Sequence, residues 1–160
     1  MTGFEALPAQ AARITNEPKG FNGYSWGSRI TEYPSLKLVT APEIANPLPN
    51  VFVYENPGEV LSVNGVTFTS IRYRFLKDRL GAIQLDYGGH ENRAKLLRWV
   101  EEQYGKLPPP ERKQLNQIEW HGENTVITLS YRPSVDQGQV WFIYLPQSPF
   151  DNATTDTSGY

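Results

Sequence analysis

His90 and His121 are the two histidines of this 160-residue chain, and each stands among carboxylates. Imidazole titrates near neutral pH and ligates metals, so a general base or a metal pair could be assembled from His90 with Asp86 and Glu91, or from His121 with Glu119 and Glu123. Both groups have a simpler explanation. Asp86, His90 and Glu91 fall where a strand hands over to a helix; a carboxylate in the first helical turn complements the dipole, and His90 there is an exposed residue of the capping region. Glu119 and His121 would share one face of a strand that runs into a Gly122-Glu123-Asn124 turn, where charged side chains are solvated. Glycoside hydrolysis needs two carboxylates facing each other across a cleft; Asp86 and Glu119 give no such pair, and Asp78 and Arg79 belong to a turn. No catalytic residue, metal site or cofactor is expected.

The longer catalytic motifs point the same way. The chain has no GxSxG elbow, no HExxH helix and no phosphate-binding glycine loop, and the glycines of GFNGYSWG do not follow a strand and open a helix. With no cysteine, thiol catalysis, disulfides and thiolate metal sites drop out together. The net charge is -2, and the 15 basic residues are scattered, which leaves no footprint for nucleic acid or an anionic membrane. The longest uninterrupted apolar run, 140–145, falls far short of the roughly 20 residues that cross a bilayer, so the chain reads as not membrane-spanning.

Aromatic residues carry the stronger signal, because they combine large contact area with low side-chain entropy and serve cores and recognition surfaces alike. Trp120 and Trp141 read as core. Trp99 lies away from the centre of its helix's apolar stripe and reads as exposed or as covering a sheet edge, and Trp26 belongs to a Gly-punctuated aromatic cap. Arg72 and Arg74 alternate with Ile71, Tyr73 and Phe75, which makes one strand face basic; a solvated outer face explains this better than a recognition face. The interaction candidates are therefore Trp26, Trp99, Arg72 and Arg74, together with Phe150 and Tyr160 of the tail.

The elements that position these residues follow from periodicity. Residues 60–87 contain three strand-like runs separated by an Asn64-Gly65 turn and a Lys77-Asp78 turn; Asn-Gly between alternating apolar residues is the strongest short-range hairpin signal. The inward parity changes between Phe68 and Ile71, which requires a bulge or sharp bend at Thr69–Ser70. Ala94, Leu97, Val100 and Tyr104, widened by Leu96 and closed by Gly105, predict one helix over about 91–104. A second meander comprises QIEWH, TVITLSYRP and QVWFIYL, and VWFIYL, apolar on both faces, must be central or covered. An extended connector leads into a strand at 51–54, Ser28 is placed to N-cap a short turn that Pro34 limits, and a helical turn is expected around Ala9 to Ile14.

The expected fold class is α+β: two antiparallel β-meanders forming a curved sheet around one main helix, with an N-terminal aromatic and glycine cap. The expected organisation is a mobile arm over 1–19, a single domain over 20–145 and a disordered tail over 146–160. The order Gly23 with Trp26-Gly27, Tyr73 and Phe75 before Leu80, Asn92 opening a helix that ends Tyr104-Gly105, then Trp120-His121-Gly122 and Thr125, Ile127, Leu129 and Tyr131, resembles a family of small uncharacterised bacterial proteins, mostly exported to the periplasm. The resemblance spans about residues 20–132 and implies an extracytoplasmic, periplasmic location and a binding or accessory role, with no active site to carry over. A cytoplasmic location is the alternative, since the N-terminus lacks a secretory h-region. The expected function is a non-enzymatic protein-interaction module or accessory subunit whose partner is another protein; the alternative is a carrier of a small apolar ligand held between sheet and helix.

Overall fold

The computed structural model describes residues 11–40, 44, 47–107 and 116–148. Within them the elements are β1 (Ala11–Arg13), β2 (Gly20–Phe21), β3 (Tyr24–Ser25), β4 (Lys37–Leu38), β5 (Val51–Glu55), β6 (Ser62–Val63), β7 (Val66–Thr67), β8 (Ser70–Leu76), β9 (Arg79–Gly88), α1 (His90–Tyr104), β10 (Gln117–His121), β11 (Thr125–Arg132) and β12 (Gln137–Tyr144). The class is α+β, with one helix and an eight-stranded sheet in the order β1-β10-β11-β12-β9-β8-β5-β4. All its pairs are antiparallel except β1 with β10.

Local chemistry sets the turns. Asn64 and Gly65 adopt φ of 55° and 83°, the left-handed pair that a type I′ hairpin demands, and join β6 to β7. This hairpin forms its own two-stranded sheet, apart from the eight-stranded one. The chain bends at Thr69, as the parity change requires, and Ile71, Tyr73 and Phe75 of β8 then all point inward. Register slips only between Arg74 and Phe75, which pair with Ala82 and Leu80 and leave Gly81 as the extra residue of β9. Lys77, at φ 59°, turns the chain from β8 to β9.

Alternation puts Tyr87, Leu85, Ile83, Phe142, Val140, Ile127, Leu129, Ile118 and Trp120 on the inner sheet face, all essentially buried. The helix packs on that face. Its buried residues are Leu96, Leu97, Trp99, Val100 and Tyr104. Two expectations for this helix are corrected. Ala94 is exposed, so the stripe is centred on Leu96 and Val100 rather than running through Ala94. Trp99 is neither exposed nor an edge cover: three residues beyond Leu96 it lies inside the apolar face, 7% exposed, edge-on to Phe142 at 6.3 Å and to Phe21 at 6.4 Å.

The arm is corrected too. Residues 11–13 form no helical turn; β1 extends the sheet beside β10, with Ala12 buried opposite Trp120. Ile14 N–H donates to the His121 carbonyl and Thr15 N–H to that of Tyr104. Glu17 then accepts the backbone N–H groups of Glu123 and Asn124 at 3.1 and 2.9 Å. Ser28 does not cap the short 3-10 turn Ile30–Glu32, whose N-cap is Arg29; its hydroxyl instead meets the Ser25 carbonyl and the Tyr33 hydroxyl. At the other end Leu145–Gln147 form a 3-10 turn and Ser148 is buried. Residues 1–10, the prolines of 108–110 and the tail from 149, including Phe150 and Tyr160, lie outside the described residues.

Phe142 touches Phe21, Trp99 and Tyr104, so it joins cap, helix and sheet. Truncation to alanine should cost about 3–5 kcal/mol through lost burial and a residual cavity. Urea unfolding of Phe142→Ala checks this; a loss under about 1 kcal/mol would show that the ring is not the hub of the core.

Candidate binding cleft

The outer face of the central strands is a grid of polar side chains generated by register. Ser70, Asp86, Gln139, Ser130 and Gln117 are successive cross-strand neighbours on β8, β9, β12, β11 and β10. Such neighbours stand about 5 Å apart. The next row holds Arg72, Gln84, Trp141, Thr128 and Glu119. At the end of the sheet where β9 gives way to α1, a cleft of about 900 Å³ opens over part of this grid, walled by the 133–136 turn and by Asn116, Gln117 and Gly89.

Asp86 is the fixed point of the floor. Ser70 Oγ donates to it at 2.6 Å, Gln84 Nε2 at 3.0 Å and Gln139 Nε2 at 2.9 Å. Gln139 Oε1 in turn accepts the indole N–H of Trp141, and Gln84 Oε1 accepts Arg74 at 2.7 Å. The carboxylate is thus held by three neutral donors, with a guanidinium one residue beyond.

The cleft wall depends on one close approach. The Tyr87 hydroxyl crosses β12 at Gly138 to donate to the Ser130 carbonyl at 2.9 Å. A Cβ at 138 would strike both that carbonyl and the Tyr87 ring, so only glycine fits. Beside it Tyr131, 4% exposed, stacks near Tyr87, donates to Asp136 Oδ1 and meets His90 Nε2 at 3.1 Å. The hydrogen bond to Asp136, reinforced by burial, raises the Tyr131 pKa above its ordinary 10.0, so this hydroxyl keeps its proton at neutral pH.

Glu119 and His121 do share a face and pair at 2.9 Å, but Glu123 is an exposed turn residue. His90 heads α1 and meets Tyr131 rather than Asp86; Glu91 occupies the first turn. Asp86 and Glu119 lie on one sheet face, one row apart with two strands between them, and do not oppose each other. Arg72 pairs with Glu55 at 2.9 Å, while Arg74 lies 5.0 Å from the Trp141 ring centroid. Trp141 is corrected from core to the half-buried outer face; Trp120 is in the core, its N–H donating to the Gly105 carbonyl at 2.8 Å. Trp26, partly buried, stacks on Tyr144 at 5.6 Å and serves the cap. Asp136, Tyr131, Gln139 and Gly138 escaped sequence reasoning, and the positive φ of Asp136, 53°, carries no residue signature as clear as Asn-Gly. Among the described residues no cluster of three or more metal-ligating side chains occurs, and no helix is long and apolar enough to cross a membrane.

No family model, curated protein or solved structure matches this chain.

Tyr73 and Tyr87, raised mainly by burial, join Tyr131 in resisting ionisation. A phenol whose folded pKa exceeds its unfolded value stabilises the fold fully below pH 10, and that contribution is lost as pH rises through the folded value. Alkaline titration at 295 nm should therefore leave part of the nine tyrosines unionised until the chain unfolds. Smooth titration of all nine near pH 10 with the fold intact would contradict this assignment.

Proposed function

We propose that the chain is a non-enzymatic recognition module, an accessory subunit that receives part of another protein in the cleft of Asp86, Ser130, Asp136 and Gln139. The observation that carries this reading is the state of the cleft's polar groups. Asp86 accepts three side-chain donors, and the Tyr131 hydroxyl donates to Asp136. Neither is poised as nucleophile or base, whereas the rim offers amides and a guanidinium suited to contact. The apolar-carrier alternative is the weaker one. It needs room between sheet and helix, where Phe21, Trp99, Tyr104 and Phe142 pack with ring centroids 5.6–6.4 Å apart. Location outside the cytoplasm belongs to the same proposal and rests on the resemblance over residues 20–132.

Arg132 and Gln117 are exposed, so reversing or adding charge there should leave the fold intact. Capture from separated envelope and cytoplasmic fractions of the source cell, using the full chain beside Arg132→Glu/Gln117→Glu, is the test. An envelope protein retained by the parent and lost by the double variant supports the reading. Partners held equally by both, or found in the cytoplasm alone, would count against the site or the location respectively.

A further inference from the structure

Four exposed side chains rim the cleft without hydrogen-bond partners among the described residues: Asn116, Gln117, Arg132 and Gln137. Register brackets the floor with them, since Gln137 lies opposite Arg132 and Gln117 opposite Ser130. Three are carboxamides, which donate and accept at once; the floor beneath is already satisfied.

From this arrangement we infer that the cleft binds an uncharged, hydroxyl-rich saccharide chain displayed on the partner protein; the inference rests on the recognition reading above. A sugar hydroxyl is both donor and acceptor, and the rim meets it on both counts. An apolar ligand would leave the carboxamides unpaired once water is excluded. A phosphate-bearing ligand would have to approach Asp86 and Asp136, which Arg132 alone of the four rim residues could offset. An extended peptide is normally taken by an open sheet edge or by apolar pockets. Here the floor belongs to β9, β12 and β11, each paired on both sides, and among the described residues Val135 is the sole aliphatic side chain lining the cleft.

The test uses the full chain on an array of neutral oligosaccharides linked to protein, beside Gln117→Ala/Gln137→Ala and, as a control on the exposed side of α1, Arg98→Ala. Binding to one neutral glycan class is expected, weakened about tenfold or more in the double variant and unchanged in the control. Absence of binding to every neutral glycan, or binding indifferent to the double variant, overturns the inference. A partner captured in a cleft-dependent way should also be lost after enzymatic removal of its glycans. If it is retained, the saccharide assignment fails while the recognition module stands; if no capture depends on the cleft, the recognition reading itself fails.

Discussion

The packing of α1 against the inner sheet face is the constraint from which the rest follows. One face of an alternating sheet must be dry, and Leu96, Trp99, Val100 and Tyr104 cover it, with Phe142 at the junction with Phe21. Because strand side chains alternate, fixing Phe142 and Val140 inward fixes Gln139 and Trp141 outward, and the register of β9 and β11 then carries Asp86 and Ser130 to the same face. A slip of one residue in β12 would bury Gln139 and expose Phe142. The polar floor of the cleft is thus a geometric consequence of the core.

Two other contacts tie periphery to centre. The N-terminal segment closes both the β10 edge and the end of α1: Ala12 packs opposite Trp120, and the backbone and hydroxyl of Thr15 both reach the Tyr104 carbonyl. That carbonyl is one of the last in the helix and would otherwise lack a donor. The Gly88–Gly89 and Gly138 region does the corresponding work at the other end, where Gly89 N–H donates to the Asp136 carbonyl and Tyr87 crosses to Ser130. The cleft wall is therefore pinned by backbone contacts as well as by the Tyr131–Asp136 bond.

Much of this was legible in the sequence where short-range physics decides. Asn64-Gly65 demanded positive φ and has it; the parity change demanded a bend at Thr69 and has it; Gly105 ends the helix; VWFIYL lies centrally, between β11 and β9. Trp99 was misread because its position relative to the apolar stripe says nothing of Phe21, which arrives from 78 positions away to cover it. Strand β1 was missed because three residues carry no usable alternation and its pairing partner lies over a hundred positions on. The cleft was illegible for the same reason: Asp86, Ser130 and Gln139 read separately as ordinary polar strand residues, and only the register of three strands makes them one floor.

A partner that docks on the cleft meets the chain at the end of the sheet where β9 gives way to α1. The most direct measurement places a photo-crosslinking amino acid at Gln137 in the cleft and, separately, at Arg98 on the exposed side of α1, and irradiates both in the source cell. A discrete adduct from position 137 and none from position 98 is the expected result. No adduct from 137, or the same adducts from both positions, would contradict the claim.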